Sequence, residues 1–327
     1  MSLDSSAPAT EQQFFAIFLD SLRLDAILDF DLYIEQGPEF ILYRSARLPF
    51  TEKTRRMLLE NNTTRLFVST DSRQSYQHYL ECNLPDIVQD SSIQESVRGS
   101  IVYDSAKFLV KDLFAKPSLV ENVRRGQELI ESTVSFILSS DSAISCLLQI
   151  MAFDYTTYTH SVNVCTLSLA LAQFIGIRNP SELEALGTGA LLHDIGKTRV
   201  GEPVLNKIEP LTPDELFLIK RHPQWGCELL QKSNLLAPES YYPIIQHHER
   251  MNGSGYPHGL GRNDIHLFGR ITAIADAFDA MTTEKAYRHA IDSYPALKEM
   301  FAEEGAFDPE LLSEFARMFG PSGLIDD

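Results

Sequence analysis

The run Leu191-Leu192-His193-Asp194-Ile195-Gly196-Lys197 constrains this chain more than any other stretch. An apolar segment with helical spacing delivers an imidazole and a carboxylate side by side and then stops at a glycine. An isolated pair of this kind is equally the mark of a buried histidine satisfied by its neighbour. Here His160 precedes it, and His222, the doublet His247-His248 and Asp276 follow, each in or beside a strongly apolar helical segment. Unpaired polar groups in such places are costly, and a metal is a common partner for imidazole and carboxylate together. Donors of these two types favour iron, manganese or zinc over copper(I) or an iron-sulfur cluster. The seven candidates exceed the four of a closed zinc site and suit two ions bridged by a carboxylate. Such a pair fits phosphodiester hydrolysis, in which a bridging hydroxide attacks phosphorus while both cations neutralise the developing charge.

The candidate ligands fall on separate helical segments, so a helical bundle with the site between helices is the expected architecture. The segment 158–177 reads as a largely buried helix with His160 near its start, and 182–194 as the helix carrying the His-Asp pair. Thr212-Pro213-Asp214-Glu215 is a strong helix start, and His222 stands directly before Pro223, where helix gives way or restarts. Residues 243–248 form a short helix running into a loop with Gly253, Gly255 and Pro257. Residues 267–281 return to helix, with Asp276 and Asp279 on one face, and Asp308-Pro309-Glu310 opens a last one.

Ahead of this lies a different texture. Phe14 to Leu22 reads as a short helix, Phe30 to Ile34 and Phe40 to Tyr43 as a hairpin across Gly37-Pro38, 53–60 as a helix capped by Thr51, and Arg65 to Ser69 as a strand. Residues 92–140 show helical periodicity throughout. The chain is thus expected to be mostly α, in three parts. Residues 1–85 form a small α/β module for regulation or interaction, 86–140 a helical linker, and 141–327 an all-helical bundle. The module offers no metal-type cluster, and so fits contact with a signalling partner or the sensing of a signal. The apolar stripe of the linker suits packing on the bundle or a homodimer seam.

A formal charge of −17 disfavours general attraction to nucleic-acid polymers or anionic membranes, so an anionic substrate must be held by local cations. The four cysteines are widely scattered, as reduced core thiols are, and no apolar stretch reaches spanning length. A cytoplasmic protein without a membrane anchor is expected.

The spacing His160, His193-Asp194, His222, His247-His248 and Asp276, together with His247-His248-Glu249-x-x-x-Gly253-x-Gly255-Tyr256-Pro257, closely resembles the HD-GYP family of the HD phosphohydrolase superfamily. The resemblance covers roughly residues 145–320. It implies an all-helical, metal-dependent domain that hydrolyses cyclic di-GMP to pGpG and onward to GMP. It further implies His160, His193, Asp194 and Asp276 around one ion, with Asp194 bridging to a second held by His222, His247 and His248. Lys197 would bind the scissile phosphate, Gly255, Tyr256 and Pro257 would form the substrate loop, and Glu249 would support the histidines. After Asp276 this chain has Lys285 where the family usually has an arginine, and it retains Arg288; the resemblance implies that both would contact substrate. Arg250-Met251-Asn252 also departs from the commoner tryptophan and aspartate. Members holding a third ion carry a glutamate at the position of Thr156, and Asp154 lies on another helical face, so two ions, iron or manganese, are expected. The competing readings are a catalytically weak cyclic di-GMP receptor and a hydrolase for another cyclic dinucleotide.

Overall fold

The computed structural model describes residues 13–116, 120–151, 157–205, 207, 209–283 and 290–320. Two compact units divide at residues 105 and 106. The span expected as a linker is therefore shared between them.

The first unit is built on a four-stranded antiparallel sheet in the order β1-β4-β2-β3, from β1 (Phe14–Phe18), β2 (Leu32–Gln36), β3 (Glu39–Arg44) and β4 (Arg65–Ser69). The expected hairpin is β2 and β3, with Gln36 paired to Glu39. Phe14 to Phe18 forms a strand and not the expected helix; Phe14 pairs with Ser69 and Phe18 with Arg65. A short apolar run carries no decisive period, and the sheet decides it by pairing. One face is rich in cross-strand rings, with Phe14 and Phe40 stacked at 4.6 Å and Phe40 edge-on to Phe67 at 4.8 Å. Alternate residues Ile17, Leu32, Leu66 and Val68 are buried. Helix α1 (Glu52–Glu60) starts at Thr51, whose side chain accepts from Thr54 N, and α2 (Arg73–Gln89) buries Tyr76, Leu80 and Leu84.

Helix α3 (Glu95–Ala115) contains the division between the units. The second unit continues with α4 (Val120–Ile137), α5 (Ala143–Ile150), α6 (Thr157–Phe174), α7 (Pro180–Leu191), α8 (Glu202–Leu205), α9 (Pro213–Ile219), α10 (His222–Gln231), α11 (Tyr241–Gln246), α12 (Leu267–Thr282), α13 (Ser293–Ala302) and α14 (Pro309–Arg317). Among the described residues, no helix is long and apolar enough to cross a membrane. On α4, Val123, Leu129, Ile130, Val134 and Ile137 are buried within the chain, while Val120 is exposed.

Helix α6 is the axis of the bundle. It packs against α7 and α12, and α11 in turn packs against α7, α10 and α12. Its residues from Thr159 to Ala172 are all buried, so its apolar and its polar side chains alike face other elements. Helix α9 is opposite in character: it buries nothing, and its start is fixed by a reciprocal capping box between Thr212 and Glu215. Two histidine-bearing segments are not helical where the periodicity suggested they would be. Helix α7 ends at Leu191, and His193 and Asp194 occupy the turn before the 3-10 segment Ile195–Arg199. Helix α11 ends at Gln246, ahead of His247 and His248. Consecutive helical residues point about 100° apart, so two neighbours can both face one point only where the helix gives way.

The fully buried Leu66 on β4, an inner strand of the sheet, is the test of the sheet core. Leu66→Ala should lower stability by about 2–5 kcal/mol, read as a fall in the denaturation midpoint followed by far-UV circular dichroism.

Candidate metal centre

Four histidines are oriented through Nδ1, three of them by one local device. Helix ends leave carbonyls without intrahelical partners, and three of the histidines use them. His193 Nδ1 lies 2.7 Å from Ala190 O, His222 Nδ1 2.7 Å from Ile219 O, and His247 Nδ1 2.9 Å from Pro243 O and 3.0 Å from Ile244 O. A carbonyl only accepts, so each Nδ1 carries the proton and each Nε2 turns a lone pair inward. In the fourth case a carboxylate replaces the carbonyl: His160 Nδ1 lies 2.7 Å from Asp279 Oδ2.

The inward atoms form two groups whose members lie within 4.8 Å of one another, Asp194 with His222, His247 and His248, and His160 with His193 and Asp276. Asp194 stands between them. Its Oδ1 is 3.2 Å from His222 Nε2 and 3.8 Å from His247 Nε2, and its Oδ2 is 3.5 Å from His193 Nε2 and 3.7 Å from His160 Nε2. Asp276 Oδ1 lies 3.2 Å from His160 Nε2, and its Oδ2 3.7 Å from His248 Nδ1.

The donors fit cations. His193 Nε2 and Asp194 Oδ1 are buried and have no hydrogen-bond partner among the described residues. His222 Nε2 and His247 Nε2 face each other at 3.0 Å, although both rings hold their proton on the far nitrogen, so two lone pairs converge. A divalent ion relieves both features, and a donor set of imidazoles and carboxylates suits iron, manganese or zinc.

The protonation states agree with this role. Burial holds the His193 imidazole below its usual range and those of His247 and His248 well below it. Burial would push Asp194 up, but Lys197 and the surrounding imidazoles hold it well below the usual carboxylate range; His160 and His248 do the same for Asp276. At His160 burial again opposes charge, yet Asp276 and Asp279 raise the imidazole to about 9. A metal ion at Nε2 competes with that proton.

Lys197 donates to Asp194 Oδ2 at 2.5 Å, which places its ammonium at the bridge between the two groups. The Tyr256 ring stacks on His248 with centroids 4.5 Å apart, and Lys220 Nζ lies 5.3 Å from the centre of the same ring. An exposed cation–π contact of this type contributes about 0.5–1 kcal/mol. Gly255 is required by close approach: a Cβ there would lie 2.5 Å from Glu249 Cα and His248 O. Glu249 does not support the histidines as expected. Its buried carboxylate accepts from His258 N at 2.7 Å and Leu260 N at 2.9 Å, binding back the loop that carries Gly255, Tyr256 and Pro257. Loop backbone lacks helical partners, and this carboxylate supplies them. Lys285, Arg288, Thr156 and Asp154 lie outside the described residues.

Sequence reasoning missed the work of Asp279. Besides meeting His160, it accepts from Asn163 Nδ2 at 2.8 Å and from Thr283 Oγ1 at 3.2 Å. The available signal was spacing, because Asp279 follows Asp276 by one turn of α12 and Asn163 follows His160 by one turn of α6. Gly196 has an equally local task. A Cβ there would overlap the His222 carbonyl, so only glycine lets the 3-10 segment lie on the start of α10 and bring Asp194 to His222.

Two variants test these supports. Asp279→Asn replaces an acceptor of Asn163 with a competing amide and should weaken metal affinity about 10–100-fold, measured by titration of the purified chain with manganese. Gly196→Ala should cost about 1–3 kcal/mol and lower metal content by elemental analysis. Gly201→Ala, where the nearest atom to an added Cβ is 3.6 Å away, should keep it.

Comparison with known proteins agrees with this centre. The chain is 33% identical over 239 residues to a cyclic di-GMP phosphodiesterase of Pseudomonas aeruginosa, covering 72% of this chain and 58% of that protein. It is 29% identical over 235 residues to a cyclic di-GMP phosphodiesterase of Thermotoga maritima, covering 69% of this chain and 61% of that one. It thus spans less than two thirds of either relative. A solved structure from Bdellovibrio bacteriovorus, described as an HDG"Y"P protein, superposes with a TM-score of 0.65 at 28% identity, over 92% of this chain and 98% of that chain. The family model of the HD domain matches residues 129–311, which include every donor from His160 to Asp276, and the chain belongs to the HD domain family.

Proposed function

We propose that this chain is a metal-dependent phosphodiesterase that hydrolyses cyclic di-GMP to linear pGpG and onward to GMP. The observation that carries the reading is the placement of Asp194, whose two oxygens face two separate donor groups. His160, His193, Asp194 and Asp276 hold one divalent ion; Asp194, His222, His247 and His248 hold the other, both being iron or manganese. When bound, the ions supply Lewis acidity and charge neutralisation at phosphorus. The chain's own residues do the rest. Lys197, seated on Asp194, stabilises negative charge growing on the scissile phosphate. Gly255, Tyr256 and Pro257 set a ring beside His248 as a wall for the nucleotide. Lys285 and Arg288 serve the phosphates and guanines. The first unit, with no metal-type cluster among its described residues, serves as an interaction or sensing module.

The relatives named above support cyclic di-GMP as substrate. A second reading is favoured by a 3'3'-cGAMP-specific phosphodiesterase of Vibrio cholerae, 35% identical over 264 residues, with 74% of this chain and 55% of that protein covered. Incubating the metal-loaded chain with each cyclic dinucleotide and resolving the products decides between them. Faster release of pGpG from cyclic di-GMP supports the first reading, the reverse order moves the substrate to the mixed dinucleotide, and no product from either leaves a receptor.

Two substitutions test the roles. Asp194→Asn should remove both ions and all hydrolysis, because a neutral amide cannot balance the charge of two dications; full metal content in that variant would defeat the bridging role. Lys197→Ala should retain about two metals per chain but slow turnover by roughly two to three orders of magnitude.

A further inference from the structure

An open sheet leaves one side of each outer strand unpaired, and in the first unit those strands are β1 and β3. Strand β3 reads Glu39-Phe40-Ile41-Leu42-Tyr43-Arg44, an acid and a base enclosing four apolar or aromatic residues. It has neither the proline nor the lysine that commonly guards an exposed edge. Ile41 is 40% and Leu42 49% exposed, whereas the large side chains of β1 are buried or half-buried. Its end charges are unanswered among the described residues. Arg44 donates to Pro49 O and Thr54 Oγ1 but meets no carboxylate, its buried Nε has no hydrogen-bond partner, and Glu39 meets no cation.

The hairpin decides how this strand presents itself. Gln36 and Glu39 flank its two-residue turn and exchange their backbone bonds, so Phe40 and Leu42 turn their own N–H and C=O groups away from β2. Tyr33 pairs with Leu42 and Leu32 with Arg44, which leaves Tyr43 as an extra residue in β3. Glu39, Ile41 and Arg44 therefore share the face of Leu32, and Phe40 and Leu42 share the other.

We infer that β3 is a self-complementary edge, onto which a second copy of this chain adds its own β3, antiparallel, about a dyad through Ile41. The contact is isologous, so every pair occurs twice. The outward backbone groups of Phe40 meet those of Leu42 in the second copy, and the two side chains pack across one face. On the other face Ile41 meets its own copy, and Glu39 of each chain faces Arg44 of the other. The extra residue makes this match possible, because without Tyr43 the base falls on the face opposite the acid. A register two residues away leaves the end charges unpaired, and a slip of one turns the side chains to the wrong faces. The inference does not depend on catalysis, since β3 lies in the first unit and every metal-type residue in the second.

The test is sedimentation equilibrium of the full chain over a concentration series. The mass should climb from one chain towards two with a dissociation constant in the micromolar range, as suits a small interface. Glu39→Arg sets arginine against arginine and should weaken the dimer by about tenfold or more; Arg44→Glu sets acid against acid and should do the same. Mixed together, these two variants should dimerise again as a heterodimer, because both of its end pairs then join opposite charges. Ile41→Lys, which places two ammonium groups on the dyad and leaves the contacts of Arg44 intact, should also give monomers, with an unchanged denaturation midpoint. A parent chain that stays monomeric throughout the series overturns the inference. So does a dimer that survives both Glu39→Arg and Ile41→Lys, or a mixture of folded charge variants that fails to associate.

Discussion

Asp194 is a carboxylate with a side chain only 1% exposed, and the second unit is arranged around the need to neutralise it. Burying an isolated carboxylate is prohibitively costly unless charge and hydrogen bonds are supplied in place of water. Lys197 supplies one positive charge, but on one oxygen only. The histidines around the other oxygen, His222 and His247, turn Nδ1 to carbonyls behind them and present Nε2 to it. Carboxylate and lone pairs facing one another require cations. The charge of the centre is completed only by ions that can satisfy both donor types.

The same device explains why the donors come from helix ends. A histidine in mid-helix has no free carbonyl nearby, since each is taken by the amide four residues on. Just past the last turn the carbonyls are orphaned, and an imidazole placed there satisfies one and is oriented by it. Ile219, Pro243 and Ile244 provide carbonyls at the ends of α9 and α11, and Ala190, whose oxygen also meets the Leu192 and His193 amides, provides one at the end of α7. His160 lies near the start of α6, where orphan groups are amides, and it takes the carboxylate of Asp279 instead. The exception follows from the same rule, because helix N-termini offer donors and an imidazole N–H needs an acceptor.

Much of this was legible in the sequence because chemistry repeats at readable intervals. His193-Asp194, His222, His247-His248 and Asp276 are polar groups set in apolar runs, and the structure brings all of them together. The Thr212 capping box and the β2 and β3 hairpin follow from local turn and cap chemistry. What was not legible depends on tertiary partners. Phe14 to Phe18 suits helix or strand equally until β4 lies beside it. The acceptors of Asp279 and the loop amides bound by Glu249 are distant in sequence, and a carboxylate does not announce its donors. Glu249 reads as support for the adjacent histidines because it is adjacent; burial turns it towards the loop.

The glycines complete the argument from close approach to chemistry. Gly196 lies two residues after Asp194 and touches the backbone of His222, so the distance between a bridging carboxylate and a ligand histidine is set by main chain against main chain. Side-chain packing between helices leaves axes about 8–10 Å apart, a gap that His160 of α6 and Asp276 of α12 close with their side chains, 3.2 Å apart. Backbone contact at Gly196, and the folded loop at Gly255 that lays Tyr256 on His248, shorten those gaps without flexible side chains between. The donors therefore stand on the least deformable parts of the unit. Imidazoles oriented by carbonyls and backbone placed by glycine contacts have fewer alternatives to lose when an ion binds, so less of the binding free energy goes into ordering them.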